Sequence, residues 1–340
     1  MIPALPNNNR LAAPLLLIAA LLILVLFHGF IFTRDDVVYI YTGPEEETEE
    51  SSADYIEIND IKYIPDRFFI FTVILNICAF LLPAVFYIKL KGSPDLKSLR
   101  IKLPRLKYLP LCGYMTASLL SGSVLVNSLM FYTGETGGVT PGPAGGIFGL
   151  NINSGGNPVY DAGILLSLVV FPALCEEFFF RSVIAAEYEK YGALCAAVMS
   201  SSAFALTRFS PGFFPAYFFA GVILYMTVKI TGSVIYAAAL HAGYNIFNIY
   251  LRENLNGILN LERNRLAFIF VTAVIFLSFA IFALKEAEDI YYNRGYSNEP
   301  SPEYAERKQE SFAAAKSLLS PSFIIAAGIF FVYIFIIIPA

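Results

Sequence analysis

Apolar residues gather into runs of about 20 along nearly the whole chain, separated by short polar stretches. Read as membrane-spanning helices, these runs fall at about 11–32, 68–90, 108–132, 159–186, 192–209, 213–230, 232–251, 265–284 and 321–339. The pattern predicts an all-α fold, a polytopic transmembrane helical bundle of about eight to nine spans. The first run is too long for a signal-peptide core and lacks a small-residue cleavage site behind it, so it reads as a signal-anchor helix. His28 stands alone in that run, where an interhelical hydrogen bond is explanation enough. The polar stretches divide the chain into N-terminal helices (1–133), a Gly/Pro-rich outer loop (134–158), a helical core (159–284), a polar segment (285–320) and a C-terminal helix (321–340).

Composition agrees with the pattern. Hydrophobic residues make up 57% and charged residues 15%, with a mean hydropathy of +0.62, more than the core of a soluble domain of this length requires. A net charge of −4 gives no reason to expect a nucleic-acid partner; the placement of charge is more telling. The stretch 89–107 carries Lys89, Lys91, Lys97, Arg100, Lys102, Arg105 and Lys107 against the single acid Asp95, which makes it a cytoplasmic loop. The loop 33–67 is acidic and faces outward, so both loops put the N-terminus in the cytoplasm. Within it, Tyr55 to Ile58 and Ile61 to Ile64 flank Asn59-Asp60 as a short β-hairpin, and Glu45 to Glu50 read as a solvated linker. The loop 134–158 lacks a Gly-Lys-Ser/Thr ending and is a connector, not a phosphate cradle. Residues 303–319 form an amphipathic helix that lies on the membrane or tethers the last span. Cys78, Cys112, Cys175 and Cys195 all sit in apolar runs without metal-type spacing and read as small hydrophobes.

Two segments carry chemistry. Glu176, Glu177 and Arg181 lie inside the fourth apolar run, where ionisable groups are expensive and mark a functional site by default. Glu177 and Arg181, at i,i+4, can neutralise each other. Glu176 lies about 100° around the helix from Glu177 and about 140° from Arg181, which leaves it available. In the seventh run His241, Asn245 and Asn248 share one helix face, a polar stripe that belongs in the bundle interior either as interhelical glue or as a site.

Glu176-Glu177-x-x-x-Arg181, Phe204-x-x-x-Arg208 and His241-x-x-x-Asn245, in that order within spans, resemble the motif series of the CPBP family. That family comprises the CAAX prenyl proteases and bacteriocin-processing enzymes, intramembrane proteases often called metalloproteases. The resemblance covers about 145–255 and implies a membrane-embedded bundle with a conical cavity open to the cytoplasm. It implies Glu176 as the general base that activates water, Glu177 and Arg181 as holders of the helix and its charge balance, and His241 and Asn245 as oxyanion or water-positioning groups. Phe204, Arg208 and Asn248 fall on the substrate side. The family also implies a lipidated or hydrophobic peptide or protein substrate, contact with membrane lipids, and a bacterial plasma membrane.

The middle motif departs from the family, which has histidine where this chain has Arg208. The family suggests a divalent metal such as zinc, but with only His28 and His241 in the chain the ligand count argues against one. Arg208 has two readings. It reaches Glu176 and engages the base, or it snorkels to the interface at the end of the fifth run, and counting depth from the cytoplasmic side favours the interface. Three functions remain open: an endopeptidase, a pseudoprotease that binds such a peptide without cutting it, and a proton- or cation-coupled transporter using the buried carboxylates.

Overall fold

The computed structural model describes residues 13–32, 66–91, 99–132, 158–251, 255, 262–293 and 304–337. The hairpin at 55–64, the acidic run 45–50, the connector 134–157 and the side chain of His28 lie outside them. Ten principal helices account for these residues, with no strand among them. They are α1 (Ala13–Phe32), α2 (66–91), α3 (Leu106–Tyr132), α4 (158–191), α5 (Ala193–Leu206), α6 (Phe214–Thr231), α7 (Val234–Tyr250), α8 (Glu262–Asn293), α9 (Tyr304–Leu318) and α10 (321–337).

Helix α4 occupies the centre, with α7 and α2 packed against different parts of it and α5 folded back along its C-terminal half. Helix α6 lies between α5 and α3, α8 covers α3 from outside, α1 pairs with α10, and α9 docks on α5. The outer helices turn large apolar side chains outward, as Leu266, Phe270, Val271, Leu277 and Ile281 do on α8. An apolar surface of this extent is the surface of a membrane protein, with lipid as its solvent.

Among the described residues fewer helices qualify as full spans than the apolar runs imply. Five of them are long and apolar enough to cross, and α9 with α10 make a sixth only if their 53° bend is one broken span. The difference lies in the short elements: α5, with 14 residues, is about 21 Å long against a hydrocarbon core of about 30 Å. Its side chains are mostly buried, so its apolar composition reflects protein packing more than contact with lipid.

An aromatic chain crosses the core from α2 to α6. Phe80 meets Phe179 at 5.4 Å, Phe179 meets Phe180 at 5.1 Å, Phe180 meets Phe204 at 5.5 Å and Phe204 meets Tyr217 at 6.3 Å. All four contacts are edge-to-face, an arrangement favoured by the ring quadrupole.

Helices α5 and α6 approach closely at Gly221, where a Cβ would stand 2.8 Å from the Ser201 Cα. Backbone cannot move aside as a flexible side chain does. Gly221→Ala is therefore expected to cost about 1–3 kcal/mol, read as a lower unfolding midpoint in detergent.

The end of the bundle at the α4–α5 turn is fastened by charge and backbone contacts. Gly192 makes the turn at φ +108°, and the next helix begins with Leu194 N–H donating to Glu310 of α9 at 3.2 Å. Arg100 pairs with Glu189, and the carbonyls of Leu99, Lys102 and Arg105 accept from Ser182, Ser233 and Tyr236 at 2.7, 2.6 and 2.7 Å. The described part of the basic stretch is thus fixed to the core helices, and α9 serves as an anchor on α5 that leads into α10.

Candidate functional site

Two π-helical stretches of α4, Leu165–Val170 and Phe178–Ile184, bracket the α-helical turn Phe171–Glu177. Interruptions of this kind are frequent at functional sites because they re-aim side chains without ending the helix. Here they bracket the two glutamates. Glu176, Glu177 and Arg181 are all buried, the last two completely.

Arg181 pairs with Glu177 at 3.0 Å and donates through Nη2 to the Gly221 carbonyl at 3.3 Å. Glu176, which the helical geometry left available, is also paired: Arg208 Nη2 donates to its Oε2. Arg208 therefore points inward, and the interfacial alternative does not hold. The depth estimate behind that alternative ended the fourth span near 186, whereas α4 continues to Tyr191. Glu176 and Arg208 each stand roughly 15 residues from the α4–α5 turn, about 22 Å along antiparallel helices, and so meet at one level.

His241, on α7, closes the network. Its Nδ1 lies 2.9 Å from Glu177 Oε1 and its Nε2 lies 3.2 Å from Arg208 Nη2. A guanidinium only donates, so Nε2 accepts and the ring proton is on Nδ1, donated to Glu177. Two carboxylates, two guanidinium groups and one imidazole make a buried cluster whose formal charges cancel. Phe204 lies between the arginines, with Arg208 at 4.5 Å and Arg181 at 4.9 Å from its ring centroid and the His241 ring edge-on at 5.3 Å. It is fully buried and supports the charged groups from behind.

One side of this cluster opens into a narrow cleft between α1, α2, α4, α7 and the residues after α5. Glu176, Arg208, Asn245 and Thr207 supply polar wall, and Leu24, Leu75, Phe80, Leu168 and Pro172 supply apolar wall. Asn245 is half-buried and reaches the Val169 carbonyl only at 3.5 Å, so its amide is weakly held. Asn248 is buried one turn further along α7 and does not line the cleft, and neither do Phe204 and His241. Thr72 and Asn76 of α2 line it and were missed in the sequence. They stand at i,i+4 in an apolar run, the same signal that drew attention to His241 and Asn245.

The donor set does not suit a zinc ion. Among the described residues no three His, Cys, Asp or Glu side chains converge as metal ligands, and the position between Glu176 and His241 is filled by a guanidinium that donates to both.

Residues 158–247, from the start of α4 almost to the end of α7, match the family model described as type II CAAX prenyl endopeptidase Rce1-like. Nothing among curated proteins or solved structures matches the chain.

Proposed function

We propose that the chain is an intramembrane endopeptidase with Glu176 as its general base, since residues 158–247 match the Rce1-like CAAX endopeptidase model and the chain has helices apolar enough to cross a membrane. The observation that carries this reading is the convergence of Glu176, Arg208 and Asn245 on one cleft that is polar on one side and apolar on the other. The apolar side, Leu24, Leu75, Phe80, Leu168 and Pro172, suits part of a lipidated or hydrophobic peptide bound within the membrane. Water beside Glu176 loses a proton to the carboxylate, and its oxygen attacks the peptide carbonyl carbon. The developing oxyanion takes hydrogen bonds from Arg208 and from the weakly held Asn245 amide. Collapse of the tetrahedral adduct breaks the C–N bond, and the proton on Glu176 passes to the leaving amine.

Within this mechanism His241 positions Arg208 and does not donate to the oxyanion, since its Nε2 already accepts from that arginine. Glu177 and Arg181 hold His241 and the helix. No step uses a metal, in keeping with the donor set. An N-terminus in the cytoplasm follows from the loop charges and a bacterial plasma membrane from the family resemblance; both belong to the proposal.

A second reading has its own observation: Arg208 occupies the Glu176 oxygen that a base must free, which suits a relative that binds peptides without cutting them. New protein termini in native membranes, profiled by mass spectrometry for wild type, Glu176→Gln and Arg208→His, separate the two. Termini that vanish in Glu176→Gln support the peptidase. Identical profiles for wild type and Glu176→Gln, with cleavage gained in Arg208→His, support the binding protein and sink the peptidase reading.

A further inference from the structure

Arg208 sits on the cleft wall with hydrogen-bonding capacity to spare. It is 8% exposed, its Nε is buried without a hydrogen-bond partner among the described residues, and a single nitrogen, Nη2, serves both Glu176 and His241. The guanidinium is held flat by Phe204 and approached by Tyr217 at 5.6 Å, so the fork is fixed in place. A fixed, incompletely used arginine fork is a receptor for a planar anion, above all a carboxylate. Its present partner is already a carboxylate, that of Glu176. The apolar part of the cleft wall, Leu24, Leu75, Phe80, Leu168 and Pro172, suits an apolar stem.

We propose that Arg208 binds the carboxylate of a ligand with an apolar stem, and that this ligand displaces Glu176 from Arg208 by exchange. The exchange deepens the peptidase reading and rests on it for its catalytic consequence; with Arg208 on the ligand carboxylate, stabilisation of the oxyanion falls mainly to Asn245. A substrate that brings its own carboxylate frees Glu176 from its cation and leaves it beside a second negative charge, the condition in which a carboxylate accepts a proton from water. A substrate without one leaves the base engaged. The ion pair is then a selectivity device that opens only for an acidic ligand. The carboxylate can come from the C-terminus of a hydrophobic peptide or from a fatty acid.

Three probes test this on the purified full chain in neutral maltoside micelles, with binding read by isothermal titration. They are dodecanoyl-triglycine with a free carboxylate, the same molecule as its carboxamide, and dodecanoate. In wild type the free acid is expected to bind about tenfold or more tighter than the amide, as charge-assisted hydrogen bonds imply. Glu176→Gln replaces the charged internal competitor with a weaker neutral acceptor and is expected to tighten the acid about tenfold further with little change in the amide. Loss of an ordinary binding residue would give the reverse. Arg208→Gln is expected to bring acid and amide to equal affinity. Should that variant fail to fold with Glu176 unpaired, the double Glu176→Gln/Arg208→Gln variant keeps the charge balance and makes the same comparison.

Equal affinities for acid and amide in wild type, or weaker acid binding in Glu176→Gln, overturn the proposal. Dodecanoate binding as tightly as the acyl-peptide supports it with a lipid source, and much weaker dodecanoate binding supports it with a peptide source. Binding requires no turnover, so a selective site in a chain that generates no termini would retire the peptidase reading alone. Termini that depend on Glu176 without acid selectivity would retire the exchange alone.

Discussion

Turnover in Glu176→Gln is expected to fall about 10²–10⁴-fold below wild type, the usual contribution of a positioned general base. The substitution is nearly isosteric, and its carbonyl oxygen still accepts from Arg208, so the hydrogen bond is kept while the negative charge and the ability to take up a proton are lost. Loss of activity should therefore come with an unchanged far-UV circular dichroism spectrum, while the unfolding midpoint falls because buried Arg208 loses its counter-charge. Quantified as initial rates for any terminus found in the membrane profile, a drop of less than about tenfold would remove Glu176 from the chemistry.

Arg181→Met is expected to be the most damaging single change to stability, at about 3–5 kcal/mol. Arg181 is completely buried, and removing it leaves Glu177 in an apolar interior without its cation. The Gly221 carbonyl also loses its donor at the point where α5 and α6 come closest. The double variant Glu177→Gln/Arg181→Met removes both charges and still offers His241 an acceptor, so most of the loss should be recovered. Detergent-denaturant titrations followed by helicity suit this chain, which has no tryptophan. If the single variant costs as little as the double, the pair does not carry the stability assigned to it.

The helices were largely legible because apolar runs and the polar residues between them act over short range. The run at 213–230 corresponds to Phe214–Thr231, and the run at 108–132 to Leu106–Tyr132. The fourth run was placed too short because Glu187, Glu189 and Lys190 resemble an exit into water. Glu187 is in fact buried and accepts from Ala13 N–H at 2.6 Å at the start of α1, a long-range contact that no local pattern announces.

The site was legible in part. The Glu177–Arg181 pairing follows from i,i+4 spacing, and the inward face of His241 and Asn245 from the polar stripe. The partner of Glu176 depended on the register of an antiparallel helix pair, which in turn depended on where α4 ends. The polar wall supplied by Thr72 and Asn76 needed the packing of α2 on α4, although their spacing was open to the same argument as that of α7.

The cancelling charges of the cluster also bear on how these helices enter the bilayer. On its own, α4 would carry Glu176 into hydrocarbon unpaired, and α5 would carry Arg208; biological insertion scales put about 2.5–3.5 kcal/mol on such a residue at mid-membrane. As a hairpin turning at Gly192, the two arrive already neutralised. The α5 helix, too short to span by itself, is thus a passenger of α4 during biogenesis, and the ion pair at the candidate site is also the bond that lets it board.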